Sequence, residues 1–192
     1  RGEGAVLGHL AGIWSTGGQR AEAEALFDQA IRVDRACGNR RDEASALINL
    51  AILHNETGRR ESSERASLHA IEIAREIENP RIEGLAATNL ANLYKDTGRI
   101  EQAKAMCERA LALLRKAGDR RAEGFAMGSL ANIYSSTGRI EQARALLVSA
   151  LKTLKVVGNP LFIGIVLGNL GEIEGQLGRI RQSEKMLRQS ID

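Results

Sequence analysis

Apolar residues recur at helical spacing in stretches of about sixteen residues, two to each forty-residue period, with almost no β-branched runs. In the first stretch Leu10, Leu50, Leu90, Leu130 and Leu170 are followed at once by Ala11, Ala51, Ala91, Ala131 and Gly171. Three residues later comes a bulky position, held by Trp14, His54, Tyr94, Tyr134 and Glu174. In the second stretch Ala23, Ser63, Ala103, Ala143 and Ser183 form one small column, and Ala30, Ala70, Ala110, Ala150 and Ser190 another. Small columns of this kind let helices pack closely.

Turn residues separate the stretches in the same register. Thr57-Gly58-Arg59, Thr97-Gly98-Arg99, Thr137-Gly138-Arg139 and Leu177-Gly178-Arg179 mark one boundary, with a degenerate copy at Gly17-Gly18-Gln19. Gly38-Asn39, Glu78-Asn79, Gly118-Asp119 and Gly158-Asn159 mark the other. Each period therefore reads as a helical hairpin. In the fourth, the pattern predicts a first helix over Arg121 to Ser136 and a second over Ile140 to Val156, with Gly138 in the left-handed position that ends the first. Pro80 and Pro160 follow Asn79 and Asn159, where a proline fits the first turn of a helix. One hairpin cannot bury its own apolar face, so the hairpins stack. The chain is expected to form a single array of about five units, approximately 1–38, 39–78, 79–118, 119–158 and 159–192.

The columns Leu-Ala-x-x-Tyr-x-x-x-Gly, then a small residue, a larger one and an Ala, resemble the tetratricopeptide repeat over essentially the whole chain. The forty-residue period resembles the longer variant found in Pins-type adaptors, kinesin light chain and bacterial regulatory proteins. His54 and Glu174 depart from the aromatic of the bulky position. The resemblance implies an all-α, right-handed superhelical solenoid whose first helices line a concave groove, and a protein or extended peptide segment as the partner in that groove.

On a helical wheel the packed positions of each first helix gather on one arc, and the opposite arc is small, neutral and rich in Asn. The residues predicted to face a partner there are Ser45, Ile48 and Asn49; Leu85, Thr88, Asn89 and Asn92; Phe125, Ser129 and Asn132; and Ile165, Asn169 and Glu172. An Asn amide offers an acceptor and two donors, so it pairs with a peptide backbone whatever the peptide's sequence. Each such bond contributes a net ~0.5–1.5 kcal/mol, so a ladder of Asn49, Asn89, Asn92, Asn132 and Asn169 is needed for useful binding. Interior glycines cost a helix ~1 kcal/mol each. Gly171 is expected in the close-packed column, whereas Gly8, Gly128, Gly168 and Gly175 are expected to face the groove and let another backbone approach. Only Lys95 is basic on this arc, which argues against a clamp for a C-terminal carboxylate.

Composition narrows the function classes. The net charge is +3, and Lys and Arg alternate with Asp and Glu in place of forming a run, so no nucleic-acid partner is expected. The rows Arg59, Arg99, Arg139, Arg179 and Arg40, Arg41, Arg81, Arg120, Arg121 are expected to be neutralised by Glu61, Glu101, Glu141 and Glu43, Glu83, Glu123 in exposed pairs worth little. No apolar run approaches the ~18 residues that span a bilayer. Cys37 and Cys107 give no disulfide framework or zinc spacing, which points to the cytoplasm. His9, His54 and His69 do not converge with a nucleophile, and the glycines form no phosphate loop. No enzyme activity, cofactor or metal is expected.

Two further expectations concern the ends. The sequence begins at Arg1 inside an apparent repeat, without an initiator Met or signal peptide, which suggests a fragment of a larger protein. In that case the array could be a ligand-sensing or regulatory arm of a kinase, cyclase or transcription regulator. Apolar residues of the last helix, Ile180, Met186, Leu187 and Ile191, offer a surface for self-association through the solenoid ends.

Overall fold

The computed structural model describes residues 2–190, and among these all regular structure is helical. The order is α1 (Glu3–Thr16), α2 (Arg20–Ala36), α3 (Arg40–Glu56), α4 (Arg60–Glu76), α5 (Pro80–Asp96), α6 (Ile100–Lys116), α7 (Arg120–Ser136), α8 (Ile140–Val157), α9 (Pro160–Gln176) and α10 (Ile180–Gln189). The chain divides into two compact units, Arg1–Thr97 and Gly98–Asp192, so α1–α5 belong to the first and α6–α10 to the second. Each unit is a stack of antiparallel hairpins, and the fold class is an all-α repeat solenoid. No described helix is long and apolar enough to cross a membrane. Ile191 lies outside the described residues.

The turn markers end the helices as their chemistry requires. The hydroxyls of Thr57, Thr97 and Thr137 donate to the carbonyls of Leu53, Leu93 and Ile133, closing the last turn. The following glycines take φ near +75°, and the backbone N–H of Arg59 and Arg139 then bonds back to His54 and Tyr134 at 2.8 Å. At the other boundary Asn79, Asp119 and Asn159 accept from the backbone N–H of Ile82, Ala122 and Phe162 at 3.0–3.1 Å and so cap α5, α7 and α9. Glu78 stands where three other hairpins have glycine and keeps the same backbone, with φ of 50°. It is the only non-glycine residue among those described with positive φ.

The core lies along the two small columns. Ala23, Ala103, Ala143, Ala30, Ala70, Ala110 and Ala150 are fully excluded from solvent, and Ser63 is buried with its hydroxyl donating to the carbonyl of Ala51. Leucines at Leu50, Leu90, Leu130 and Leu170 fill the space between, each contributing ~1.5–3 kcal/mol by burial. Cys107 packs here too, and burial pushes its thiol up to about 12, which removes it as a nucleophile.

Two polar ladders join successive hairpins, and both differ from the expected exposed edges. Glu43, Glu83 and Glu123 are buried, and each accepts a bond of 2.8–2.9 Å from Nε of an arginine eight residues back: Arg35, Arg75 and Arg115. Arg40 and Arg120 add second bonds to Glu43 and Glu123. The arginines of the turns do not pair with Glu61 or Glu141 two residues on, as the sequence suggests. Arg59 reaches back to Glu24 at 2.6 Å, and Arg179 reaches Glu174 and, at 3.4 Å, the Glu141 of the preceding hairpin. A turn places its arginine within reach of the preceding hairpin, so Glu24 and Glu141 lie about one repeat away from their partners, while Glu174 belongs to the hairpin of Arg179 itself.

Candidate functional site

The surface of α1, α3 and α5 in the first unit, and of α7 and α9 in the second, holds the residues singled out by the sequence. In the first unit Ser45 and Asn49 are exposed on α3, while Leu85, Asn89 and Asn92 are half-buried on α5. Ile48 and Thr88 share a column and are buried, the Thr88 hydroxyl donating to the Gly84 carbonyl at 2.8 Å. These two residues form the layer beneath the surface. A helical wheel cannot distinguish them from their exposed neighbours because it contains one helix and no surroundings.

Ser45 and Asn49 line an open cavity of about 700 Å³ whose floor is formed by Gly4, Gly8 and Asp34. Asp34 lies on α2 and so falls outside the arc of first-helix residues that the sequence singles out. It occupies the column of Ala74, Leu114 and Leu154, and that contrast is the signal that could have found it. Burial pushes its carboxyl above the ordinary range. His9 and Arg40 also reach this cavity.

In the second unit the expected residues converge. Phe125, Ser129, Asn132, Ile165 and Asn169 surround one socket of about 50 Å³, together with Phe162, Val166 and Leu154. The rings of Phe125 and Phe162 meet at 5.7 Å and a tilt of 58°. Ser129 is buried at the base, whereas Ile165 is 46% exposed at the rim. The socket exists because Gly128 stands in the column that Ile48 and Thr88 fill in the first unit: a Cβ at Gly128 would find nothing within 4 Å. At its edge the Asn169 amide donates to Asn132 Oδ1 at 3.3 Å. That bond leaves the Asn132 amide hydrogens and the Asn169 carbonyl available, a donor and an acceptor side by side. Glu172 is exposed on α9 and does not line the socket.

The glycines divide by environment. Gly8 and Gly128 face open space, in keeping with a groove position, and Gly168 is in ordinary contact with Ser190. Gly171 packs as expected, since a Cβ would come within 2.7 Å of Leu187. Gly175 is a correction: it faces Ser183 of α10, not the groove, because it lies on the side of α9 that meets its own hairpin partner.

A family model described as a MalT-like TPR region matches residues 3–157 and, in a second register, 42–191. Among solved structures, BtubC (BKLC) from P. vanneervenii superposes with a TM-score of 0.78 and 18% identity, covering 98% of this chain and 79% of that one. A protein of nearly identical TPR-like repeats from Podosopora anserina, assigned as a kinesin light chain, gives 0.70 and 16%, covering 97% and 92%. The apo form of RapI gives 0.73 and 13%, covering 98% of this chain and 52% of RapI. At these identities the likeness is one of fold. No curated protein matches the sequence.

Proposed function

Given that the chain belongs to the family of MalT-like TPR regions, we propose that it is an interaction scaffold that binds an extended protein segment along its first-helix faces and has no catalysis of its own. The observation that carries this reading is the socket of the second unit. An apolar recess bounded by Phe125, Phe162 and Ile165 stands beside the Asn132–Asn169 amide pair, which suits one apolar side chain and the peptide group next to it. In the first unit Asn49, Asn89 and Asn92 are accessible or half-buried and extend the same chemistry, with Leu85 beside them. The two free cysteines, Cys37 and Cys107, agree with a reducing, cytoplasmic setting.

Selection of random dodecapeptides displayed on phage tests this directly. Enriched peptides should share an apolar residue and should lose affinity when Asn89, Asn92 and Asn132 are replaced by Ala, with the melting temperature little changed. Unchanged affinity in that triple variant overturns the reading. The larger cavity of the first unit supports a second reading, a ligand-sensing or regulatory arm of a larger signalling protein. A catalytic or DNA-binding domain adjoining the array in the same gene would favour it.

A further inference from the structure

Asp34 breaks the pattern of its own column. Its counterparts Ala74, Leu114 and Leu154 are buried and apolar, and Asp34 is as buried as they are, 1% exposed. Its Oδ2 has no hydrogen-bond partner, and Oδ1 receives only a long bond of 3.4 Å from the Asn39 amide. An incompletely paired carboxylate is costly to keep away from water. The backbone is nevertheless shaped to admit it. A Cβ at Gly4 would overlap the carboxylate, and Gly8, one turn further along α1, leaves the space beside it open. Gly4, Gly8 and Asp34 all line the 700 Å³ cavity.

We propose that Asp34 forms the floor of a subsite for a guanidinium or ammonium group, the side chain of a single Arg or Lys in a segment bound along α1 and α3. The identity of the segment rests on the scaffold reading above. A guanidinium or ammonium group entering beside Gly8, where the space is open, supplies a donor that the Asp34 carboxylate lacks. Ser45 and Asn49 on the wall are placed to bond the backbone on either side. Arginines at the rim narrow the occupant. Arg40 is held by Glu43 and Glu76, Arg41 is exposed next to Asp42, and Arg81 lines the same cavity. One basic residue flanked by neutral or acidic ones fits this arrangement, whereas a run of basic residues is repelled.

The test is a titration of the isotopically labelled chain with N-acetyl-arginine amide and, separately, its neutral isostere N-acetyl-citrulline amide, followed by backbone amide chemical shifts. Saturable shifts are expected at Gly4, Gly8 and Asn49 with the arginine probe, at least tenfold weaker with citrulline, and lost in Asp34→Asn and Asp34→Ala. The second variant reproduces Ala74 of the next hairpin, and both remove an unpaired buried charge, so each should melt no lower than the wild type. No saturable response to arginine, an equal response to citrulline, or an unchanged response in either variant overturns the proposal. A clear arginine response alongside a failed peptide selection would instead overturn the segment reading and leave the cation subsite standing.

Discussion

Arg144 donates to Glu174 at 2.6 Å across thirty residues, and the same step separates His54 from Glu24 and Tyr94 from Glu64. At His54, Tyr94 and Glu174 the bulky position of a first helix thus faces the same position on the second helix of the preceding hairpin. A carboxylate there meets a His or a Tyr, and where the bulky position itself becomes Glu174 the facing residue becomes Arg144. What reads as a departure from the repeat pattern is a charge-matched pair.

The pair should be sensitive to removal of one member. Arg144→Ala leaves the buried Glu174 with only Arg179 and should cost about 1.5–3 kcal/mol in urea denaturation, the range for a hydrogen bond to a charged group. Arg144→Glu combined with Glu174→Tyr recreates the Glu64–Tyr94 pair and should recover most of that loss. A double variant no more stable than the sum of the single changes would show that the column does not couple.

Acid should act through the same ladder. Burial alone would raise the Glu174 carboxyl, but hydrogen bonds from Arg144 and Arg179 outweigh it and hold it below 4.5; the Arg59 bond holds Glu24 below 4.5 in the same way. Each carboxylate is lower in the folded state than in the unfolded one, so its stabilisation is present above about pH 4.5 and lost as pH falls through the depressed value. Urea midpoints measured from pH 7 to 3 should fall across that window. The fall should be shallower in Glu174→Gln, and an identical slope would remove Glu174 from the account.

Glu78 holds a left-handed backbone that its three counterparts assign to glycine. Glu78→Gly should stabilise the chain by about 1 kcal/mol, seen as a melting temperature higher by roughly 2–4 °C. A lower melting temperature would mean that the side chain contributes more than the strain costs.

Gly124 and Gly128 lie one turn apart on α7 and should respond oppositely to alanine. A Cβ at Gly124 would press on Leu154 Cγ at 2.6 Å, so Gly124→Ala should destabilise by ~1–3 kcal/mol. Gly128→Ala meets open space and gains helix propensity, so it should stabilise by up to ~1 kcal/mol. Thermal melts of the two variants decide the matter.

The hairpins were legible because turn chemistry is local. Gly138 with positive φ, Asn79 and Asn159 capping the helices that open on Pro80 and Pro160, and the buried alanine columns all follow from residues read in register. The site was legible in part. Phe125, Asn132, Ile165 and Asn169 converge as their shared arc implies, but Ile48, Thr88 and Ser129 on that arc are buried by neighbouring helices. A wheel represents one helix and contains no neighbour. The ladders from Arg35 to Glu43 and from Arg144 to Glu174 escaped for a similar reason, since they join residues of different hairpins. Asp34 is a polar residue in an otherwise apolar column, but its lack of a partner is a property of the folded surroundings and not of the sequence.

The most direct measurement of the scaffold reading is the affinity of a phage-selected peptide, by fluorescence anisotropy, for the wild type and for Gly128→Ile. Isoleucine at this position copies Ile48, so it fills the socket with the side chain that the first unit already carries there. The account expects a melting temperature at least as high as that of the wild type and an affinity at least tenfold weaker. Equal affinity in a folded Gly128→Ile variant would contradict it.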